Sequence, residues 1–391
     1  MKAATVVSLV AAGTLALAGC STIGGWFGGR NKDMLKPAEL TPITATAVPQ
    51  RLWSAKVGEG EDLLGARQGP AVVDGRVFAA AVEGGITALD LQTGQAVWHH
   101  DSELRLSGGP GAGEGLVVAG SLEGDVVALD AATGAQRWTA KVGNEILAAP
   151  VVGQGVVLVR SIDGRVTAFD ADDGNRLWFW ERETPTLSVR GSGAPLLGPG
   201  LLFVGSDDGT LSAISLADGR LLWEQIVAAP EGRSELDRMA DIDGVPALEG
   251  TTIYATSYKG RTMAVDGPSG RPLWAHDAGG PGTVAIGIDK VVVTDPQGTV
   301  WGLDKATGTA MWQQAALARR NVTAPAVQGD YAVVGDYEGY LHWLRLGDGA
   351  FAARADAAGD PIRATPVVVD GILLAQSTGG ELSAWRIGAA P

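Results

Sequence analysis

The chain has little cysteine, little histidine and a shortage of basic residues. Cys20 is the only cysteine among 391 residues, which excludes a disulfide within the chain. The four histidines, His99, His100, His276 and His342, show none of the spacings that hold zinc. Lysine and arginine number 30 against 44 acidic residues, which argues against nucleic acid or an anionic membrane surface as a partner. No segment has the 3.6-residue period of a long core helix.

One apolar stretch near the N-terminus, residues 6–17, follows Lys2 and is too short to span a bilayer comfortably. It leads into Leu17-Ala18-Gly19-Cys20, which resembles the lipobox of bacterial lipoproteins. The resemblance implies cleavage before Cys20 and lipid on its thiol and amine. Because Ser21 and not Asp follows, it also implies transfer to the outer membrane. The alternative is an ordinary secretion signal with an incidental cysteine.

The segment after the cysteine differs in composition from the rest of the chain. Residues 20–50 are rich in Gly, Thr, Pro and Ala and lack the alternation of a strand. We therefore expect residues 1–19 to be a signal peptide and residues 20–50 to be a lipidated cysteine with a flexible tether.

A repeat of about 40 residues occupies the remaining chain. Each copy begins with a glycine and continues as a short apolar strand and a polar turn, and six copies have a tryptophan fourteen residues after that glycine. Such a unit has room for four strands of about five residues, which predicts a propeller blade. The sequence therefore predicts an all-β fold, an eight-bladed β-propeller of four-stranded antiparallel blades. The repeats begin at Gly84, Gly124, Gly164, Gly209, Gly260, Gly298, Gly339 and Gly380.

The two ends of the repeat region predict how the ring closes. The last repeat supplies only three strands, at residues 364–369, 372–376 and 381–385. Residues 51–58 read almost like residues 136–143, which form a fourth strand in the second repeat. We expect the N-terminal strand to complete the last blade, so that the propeller spans residues 51–391 and no sheet edge is left open between the ends.

The recurring tryptophans are expected to pack between blades and not to stack on a ligand. The pattern Asp-x-x-Thr-Gly-x-x-x-Trp resembles the quinoprotein type of propeller and not the WD40 type, since no Asp follows these tryptophans. Quinoprotein alcohol dehydrogenases, which this resemblance suggests, use an adjacent-cysteine disulfide and a calcium site. The single cysteine argues against that enzyme.

Other patterns that suggest chemistry are weak. The segment from Asp170 to Glu181 has the length of a calcium loop, but its glycine comes one place early and the segment aligns with ordinary turns of the other repeats. Gly191-Ser192-Gly193 lacks the spacing of a nucleophile elbow and a partner base. We therefore predict no catalytic residue, no cofactor and no metal.

Two intervals between repeats are longer than the others. Those that end at Gly209 and Gly260 are 45 and 51 residues, against 38 to 41 elsewhere. The extra residues, within 181–195 and 230–246, connect the outer strand of one blade to the inner strand of the next. Connections of that type lie on one rim, and these two are neighbours. Long loops on a rigid scaffold often carry binding residues, so this pair is the predicted binding surface.

At these loops the chain resembles a known family. The lipobox, tether, repeats and loop pair together resemble the BamB family, lipoproteins of the outer-membrane β-barrel assembly machinery, over essentially the whole chain. Two aliphatic residues flanking a small polar one, then Arg-Gly, match Leu187, Val189 and Arg190, with Val189 where leucine is common. The family's Asp-x-Asp after an arginine matches Asp241 and Asp243. In that family the loop pair binds the periplasmic POTRA region of BamA.

The resemblance implies a role for each matched residue. Leu187 and Val189 are expected to be apolar anchors, and Arg190 a bidentate donor to a carboxylate or a backbone carbonyl. Asp241 and Asp243 are expected to accept from a basic residue of the partner. The alternative is that Arg190 pairs with one of these aspartates inside the protein and braces the loops; both roles are compatible.

The resemblance thus implies a non-enzymatic scaffold, lipid-anchored to the outer membrane and facing the periplasm. Its predicted partners are BamA, the membrane through the lipid and also unfolded outer-membrane proteins, whose folding and insertion it would assist, but not nucleic acid. Two alternatives remain: a quinone-dependent dehydrogenase, and a lipid-anchored propeller scaffold of another envelope complex.

Overall fold

A computed structural model describes residues 36–59, 67–188 and 193–389. Cys20 and the predicted signal peptide lie outside the described residues. The chain divides after Pro37, and every described strand belongs to the second unit, Ala38–Pro391. In the described ranges, no helix combines the length and the hydropathy needed to cross a membrane.

Short antiparallel strands follow one another with tight turns between them. Those before the single described helix are β1 (Ala47–Lys56), β2 (Ala71–Val73), β3 (Arg76–Ala81), β4 (Gly85–Asp90), β5 (Ala96–His100), β6 (Gly111–Gly113), β7 (Leu116–Gly120), β8 (Asp125–Asp130), β9 (Gln136–Lys141), β10 (Val151–Gly153), β11 (Val156–Arg160), β12 (Arg165–Asp170), β13 (Arg176–Glu181), β14 (Leu196–Gly198), β15 (Leu201–Gly205), β16 (Thr210–Ser215) and β17 (Leu221–Ile226).

The helix is one turn, α1 (Glu235–Arg238). The strands after it are β18 (Ala247–Glu249), β19 (Thr252–Ser257), β20 (Arg261–Asp266), β21 (Pro272–His276), β22 (Ala285–Ile286), β23 (Lys290–Thr294), β24 (Val300–Asp304), β25 (Ala310–Gln314), β26 (Ala326–Gln328), β27 (Tyr331–Gly335), β28 (Tyr340–Arg345), β29 (Phe351–Asp356), β30 (Val367–Val369), β31 (Ile372–Gln376) and β32 (Glu381–Ala389).

The strands form eight four-stranded sheets, which are the blades of a β-propeller. Blade 1 is β2 to β5, and each later blade takes the next four strands up to blade 7, β26 to β29. The buried apolar side chains of the described residues form eight clusters, one between each pair of neighbouring blades. One cluster joins Val77 and Leu89 of blade 1 to Leu374 of blade 8, which closes the ring. The predicted eight-bladed propeller is confirmed.

The N-terminal strand completes blade 8, as predicted. The strand order there is β1-β32-β31-β30, and Trp53 of β1 lies opposite Ala384 of β32. The strand begins at Ala47 and not at residue 51. The residues before it also contact the propeller: the Arg354 guanidinium donates to the Thr41 carbonyl oxygen at 3.0 Å, and Thr46 N–H donates to Ala352 O at 2.9 Å.

Outer-strand tryptophans join every blade except blade 7 to the next, which confirms the packing prediction. Each ring covers the glycine of the next blade's turn between third and fourth strands, and a Cβ added to that glycine would stand within 2.7 Å of the ring. The pairs are Trp53 with Gly94, Trp98 with Gly134, Trp138 with Gly174, Trp178 with Gly219, Trp223 with Gly270, Trp274 with Gly308 and Trp312 with Gly349. The series ends at blade 7, where Ala353 takes the tryptophan position. Blade 8 has no such turn to receive a ring, because its fourth strand comes from the other end of the chain.

The antiparallel order assigns every connection to one of two rims. Connections between blades share a rim with the hairpins between second and third strands, and we call this the upper rim. Hairpins between first and second strands, and turns between third and fourth strands, lie on the lower rim. The two long connections are therefore both on the upper rim, on either side of blade 4.

Candidate functional site

Two neighbouring connections on the upper rim form the candidate site. Loop 1, residues 182–195, joins blades 3 and 4, and loop 2, residues 227–246, joins blades 4 and 5. Leu187 of loop 1 is exposed, with 39% of its surface accessible. Val189 and Arg190 lie outside the described residues, so their predicted roles stay predictions.

The end of loop 2 is buried between blades 4 and 5. Ala240 and Ile242 are fully buried, and Ile242 N–H donates to Ser206 O at 3.1 Å. From the other side, Tyr258 N–H donates to Asp241 O at 2.7 Å. Asp241 is 0% exposed and Asp243 is 5% exposed. Both carboxylates therefore lie beneath the surface, although the sequence suggested acceptors that face a partner.

The two aspartates belong to a buried ion cluster, which we define as Arg160, Asp207, Asp241 and Asp243. Carboxylate oxygens of the three aspartates lie within 4.8 Å of one another. The Arg160 guanidinium, 3% exposed, lies 3.3 Å from Asp207 Oδ1 and donates to Gly193 O of loop 1 at 3.0 Å. Ser188, next to Leu187, also hydrogen-bonds to Asp207. The cluster therefore ties both loops to blades 3 and 4.

Burial dominates the electrostatics of this cluster. It raises the pKa of Asp243 to about 7; the positive charge of Arg67 opposes the rise, and the charges of Asp241 and Asp207 add to it. Neither carboxylate oxygen of Asp243 accepts a hydrogen bond from the described residues. Burial also raises the pKa of Asp207, against the lowering effect of Arg160. These shifts mean that the charged aspartates cost the folded state free energy, which Arg160 partly offsets.

Three carboxylates this close are also the kind of group that can hold a cation. Among the described residues, these three aspartates are the one group of Asp, Glu, His or Cys side chains close enough together to hold a metal ion. Arg160 already brings a positive charge into contact with Asp207. We therefore assign the cluster a structural role in fixing the loops.

The weak motifs of the sequence are explained by ordinary structure. Asp170 Oδ1 accepts from Asp172 N–H at 2.8 Å in a turn, while Glu181, on β13, pairs with Arg165. His342 is fully buried, and its Nε2 lies 2.9 Å from Asp336 Oδ2. None of these arrangements brings together a set of metal ligands.

The sequence did not single out Arg160 or Asp207. Arg160 ends a buried second strand at the place where blades 2, 4 and 7 have Gly120, Gly205 and Gly335. An arginine at a buried position where the other repeats have Gly, Ala, Thr or Gln was the available signal. Asp207 had no such signal, because polar residues are common in these hairpins.

Comparison with known proteins identifies the family. A family model described as outer membrane protein assembly factor BamB matches residues 82–314 and 289–390. The chain is 57% identical over 394 residues to the outer membrane protein assembly factor BamB of Xanthomonas campestris pv. campestris, and the match covers 97% of each chain. The chain belongs to the BamB family. It is also 45% identical over 373 residues to BamB of Pseudomonas aeruginosa, across 95% of this chain and 96% of that one.

Solved structures agree with the BamB fold. The crystal structure of BamB from Moraxella catarrhalis has a TM-score of 0.80 at 27% identity, and the match covers 87% of this chain and all of that one. Quinohemoprotein alcohol dehydrogenase from Comamonas testosteroni has a TM-score of 0.67 at 15% identity, covering 86% of this chain and 76% of that one, a likeness of fold alone. The prediction of a non-enzymatic protein agrees with the family name, which describes an assembly factor.

Proposed function

We propose that the chain is a component of the outer-membrane β-barrel assembly machinery and helps outer-membrane proteins to assemble. The support is the family match along nearly the whole chain, together with relatives named as outer membrane protein assembly factors. The lipobox at Cys20 supports attachment to the outer membrane on its periplasmic side, by lipid on that cysteine.

Loops 1 and 2 are the proposed docking surface for the POTRA region of BamA. The observation that carries this part is the buried ion cluster, which draws two long and neighbouring blade connections together on one rim. A surface held in one shape binds with less loss of conformational entropy than a mobile one. The cluster thus gives a physical reason for two insertions to act as one site.

Each site residue has a part in this proposal. Leu187 and Val189 are the apolar anchors of loop 1, and Arg190 donates to a carboxylate or a carbonyl of the partner. Because Asp241 and Asp243 are buried, they act from beneath, by holding loop 2 in place. Arg190 belongs to loop 1, and in this proposal it also pairs with one of these aspartates, so that binding and bracing are both served.

Co-purification of BamA with the tagged lipoprotein from solubilised membranes tests the proposal. We expect Arg190→Ala and Asp241→Ala to lower the yield of BamA several-fold while the propeller still melts cooperatively. Arg137→Ala is the matched control, because Arg137 is a half-exposed arginine on blade 2, away from the loops. Undiminished BamA from both loop variants would count against the loops as the docking surface.

A further inference from the structure

The most exposed apolar side chain of loop 2 is one that the family motif does not include. Leu236 of α1 has 71% of its surface accessible, while Asp241 and Asp243 of the motif are buried. Single exposed leucines are common on protein surfaces, so exposure alone decides nothing. What distinguishes Leu236 is the structure that holds it.

Hydrogen bonds at both ends fix the helical turn that presents Leu236. Asp237 N–H donates to Ser234 Oγ at 3.1 Å, and Ser234 N–H donates to Asp237 Oδ2 at 3.1 Å, a reciprocal capping box. Arg238 Nε donates to Gly232 O at 3.3 Å. A Cβ at Gly232 would clash with the side chain of Asp237, so the chain before the turn packs directly against the helix.

Neighbouring structure then fixes the turn on the propeller. Lys259, in the hairpin of blade 5, donates to Ala229 O at 3.1 Å and also to the carbonyl oxygen of Glu231. On the other side of the turn, Ile242 is fully buried. A one-turn helix is too short to be stable by itself, so this position depends on the contacts at its two ends. Together these contacts hold the solvent-exposed side chain of Leu236 in a fixed position.

The position of Leu236 is continuous with the proposed docking surface. It is five positions before Asp241 in the chain, a reach of at most about 18 Å. Asp241 belongs to the ion cluster, and Ser188, next to Leu187, bonds to the same cluster. A standard interface covers about 800 Å² on each partner, a patch about 30 Å across, which accommodates both leucines.

We propose that Leu236 is an apolar anchor for the same partner, and that α1 exists to present it. The partner site that fits is an apolar cleft, because Leu236 is exposed on a turn whose Ser234 and Asp237 are engaged in the cap. This inference rests on the proposed function, since it assigns a further residue to the same interface.

Titration of the immobilised lipoprotein with the purified POTRA region of BamA tests the inference. Leu236→Asp is expected to weaken binding about tenfold or more, as loss of a central apolar anchor does. Ser234→Ala keeps Leu236 but removes the N-cap of α1, and a smaller loss of affinity, about threefold, is expected. Ile288→Asp is the matched control, because Ile288 is 85% exposed in a lower-rim hairpin of blade 6, and its affinity should equal that of the unaltered protein.

The outcomes separate this inference from the proposed function. If the unaltered protein binds and Leu236→Asp binds as tightly as Ile288→Asp, the role of Leu236 is overturned and the proposed function stands. If the unaltered protein does not bind the POTRA region, both are overturned. Thermal unfolding of each variant shows whether the propeller is intact. We expect Leu236→Asp to keep the fold, because an exposed Asp in the first turn of a helix is favourable.

Discussion

The indole ring of Trp138 lies against Gly174 of the next blade, and its N–H donates to Ala171 O at 2.9 Å. A Cβ on Gly174 would stand 2.6 Å from the ring. The same arrangement recurs around the ring, from the tryptophan of blade 8 through blades 1 to 5 to the tryptophan of blade 6. It explains why the turn in each repeat ends in glycine and why tryptophan follows that glycine at a constant distance. Within one repeat the glycine and the tryptophan are four residues apart, but each of them contacts its counterpart in a neighbouring blade.

Replacing Gly174 with alanine should therefore cost more than replacing Gly155. Both glycines have left-handed backbones, with φ of +74° and +77°, but no atom lies within 4 Å of a Cβ added at Gly155. We expect Gly155→Ala to lower the free energy of unfolding by about 1 kcal/mol. Gly174→Ala should lower it by about 2–4 kcal/mol, since it also displaces a packed ring. Denaturant unfolding measures both; equal losses would mean that the ring contact contributes little.

Removing the N-terminal strand should open the ring. A chain that starts at residue 58 lacks β1, the strand that pairs with β32 of blade 8. It also lacks Trp53, whose ring packs on Gly94 of blade 1. We expect a large drop in melting temperature or a failure to fold, because an apolar sheet edge and the blade 8 to blade 1 core are then exposed. A chain that starts at residue 38 is the control. If the two chains melt alike, closure by β1 is wrong.

The raised pKa of Asp243 predicts a pH dependence of stability. Its folded-state value of about 7 lies above the ordinary 3.8, so between these values the folded state holds a proton that the unfolded state has lost. The contribution of this group to stability therefore falls as pH rises from about 4 to about 7, and is constant above that range.

Asp243→Asn should remove that dependence. We expect the melting temperature of the unaltered protein to fall more than that of the variant between about pH 5 and about pH 8. Asp277→Asn is the control, because the Asp277 side chain is 88% exposed. Parallel pH profiles for all three proteins would show that Asp243 titrates normally in the folded state.

The sequence predicted the fold well because its signals are local. A turn, a strand and a tryptophan recur at fixed spacing, and the likeness of residues 51–58 to a fourth strand was sufficient to predict the closure. Burial at the candidate site was not predictable in the same way. Asp241 and Asp243 read as polar loop residues, and only the path of Ile242 into the space between two blades turns them inward. Arg160 lies in blade 3 and Asp207 in a hairpin of blade 4, and no repeated spacing in the sequence connects either residue with loop 2.

Site-specific photo-crosslinking in intact cells tests the central claim most directly, namely that the loop pair on the upper rim docks on BamA. A photoreactive residue replaces exposed Leu187 in loop 1, or exposed Ile288 in a hairpin of the lower rim. We expect a crosslink to BamA from position 187 and none from position 288. A crosslink from position 288 without one from position 187 would contradict docking through the loop pair.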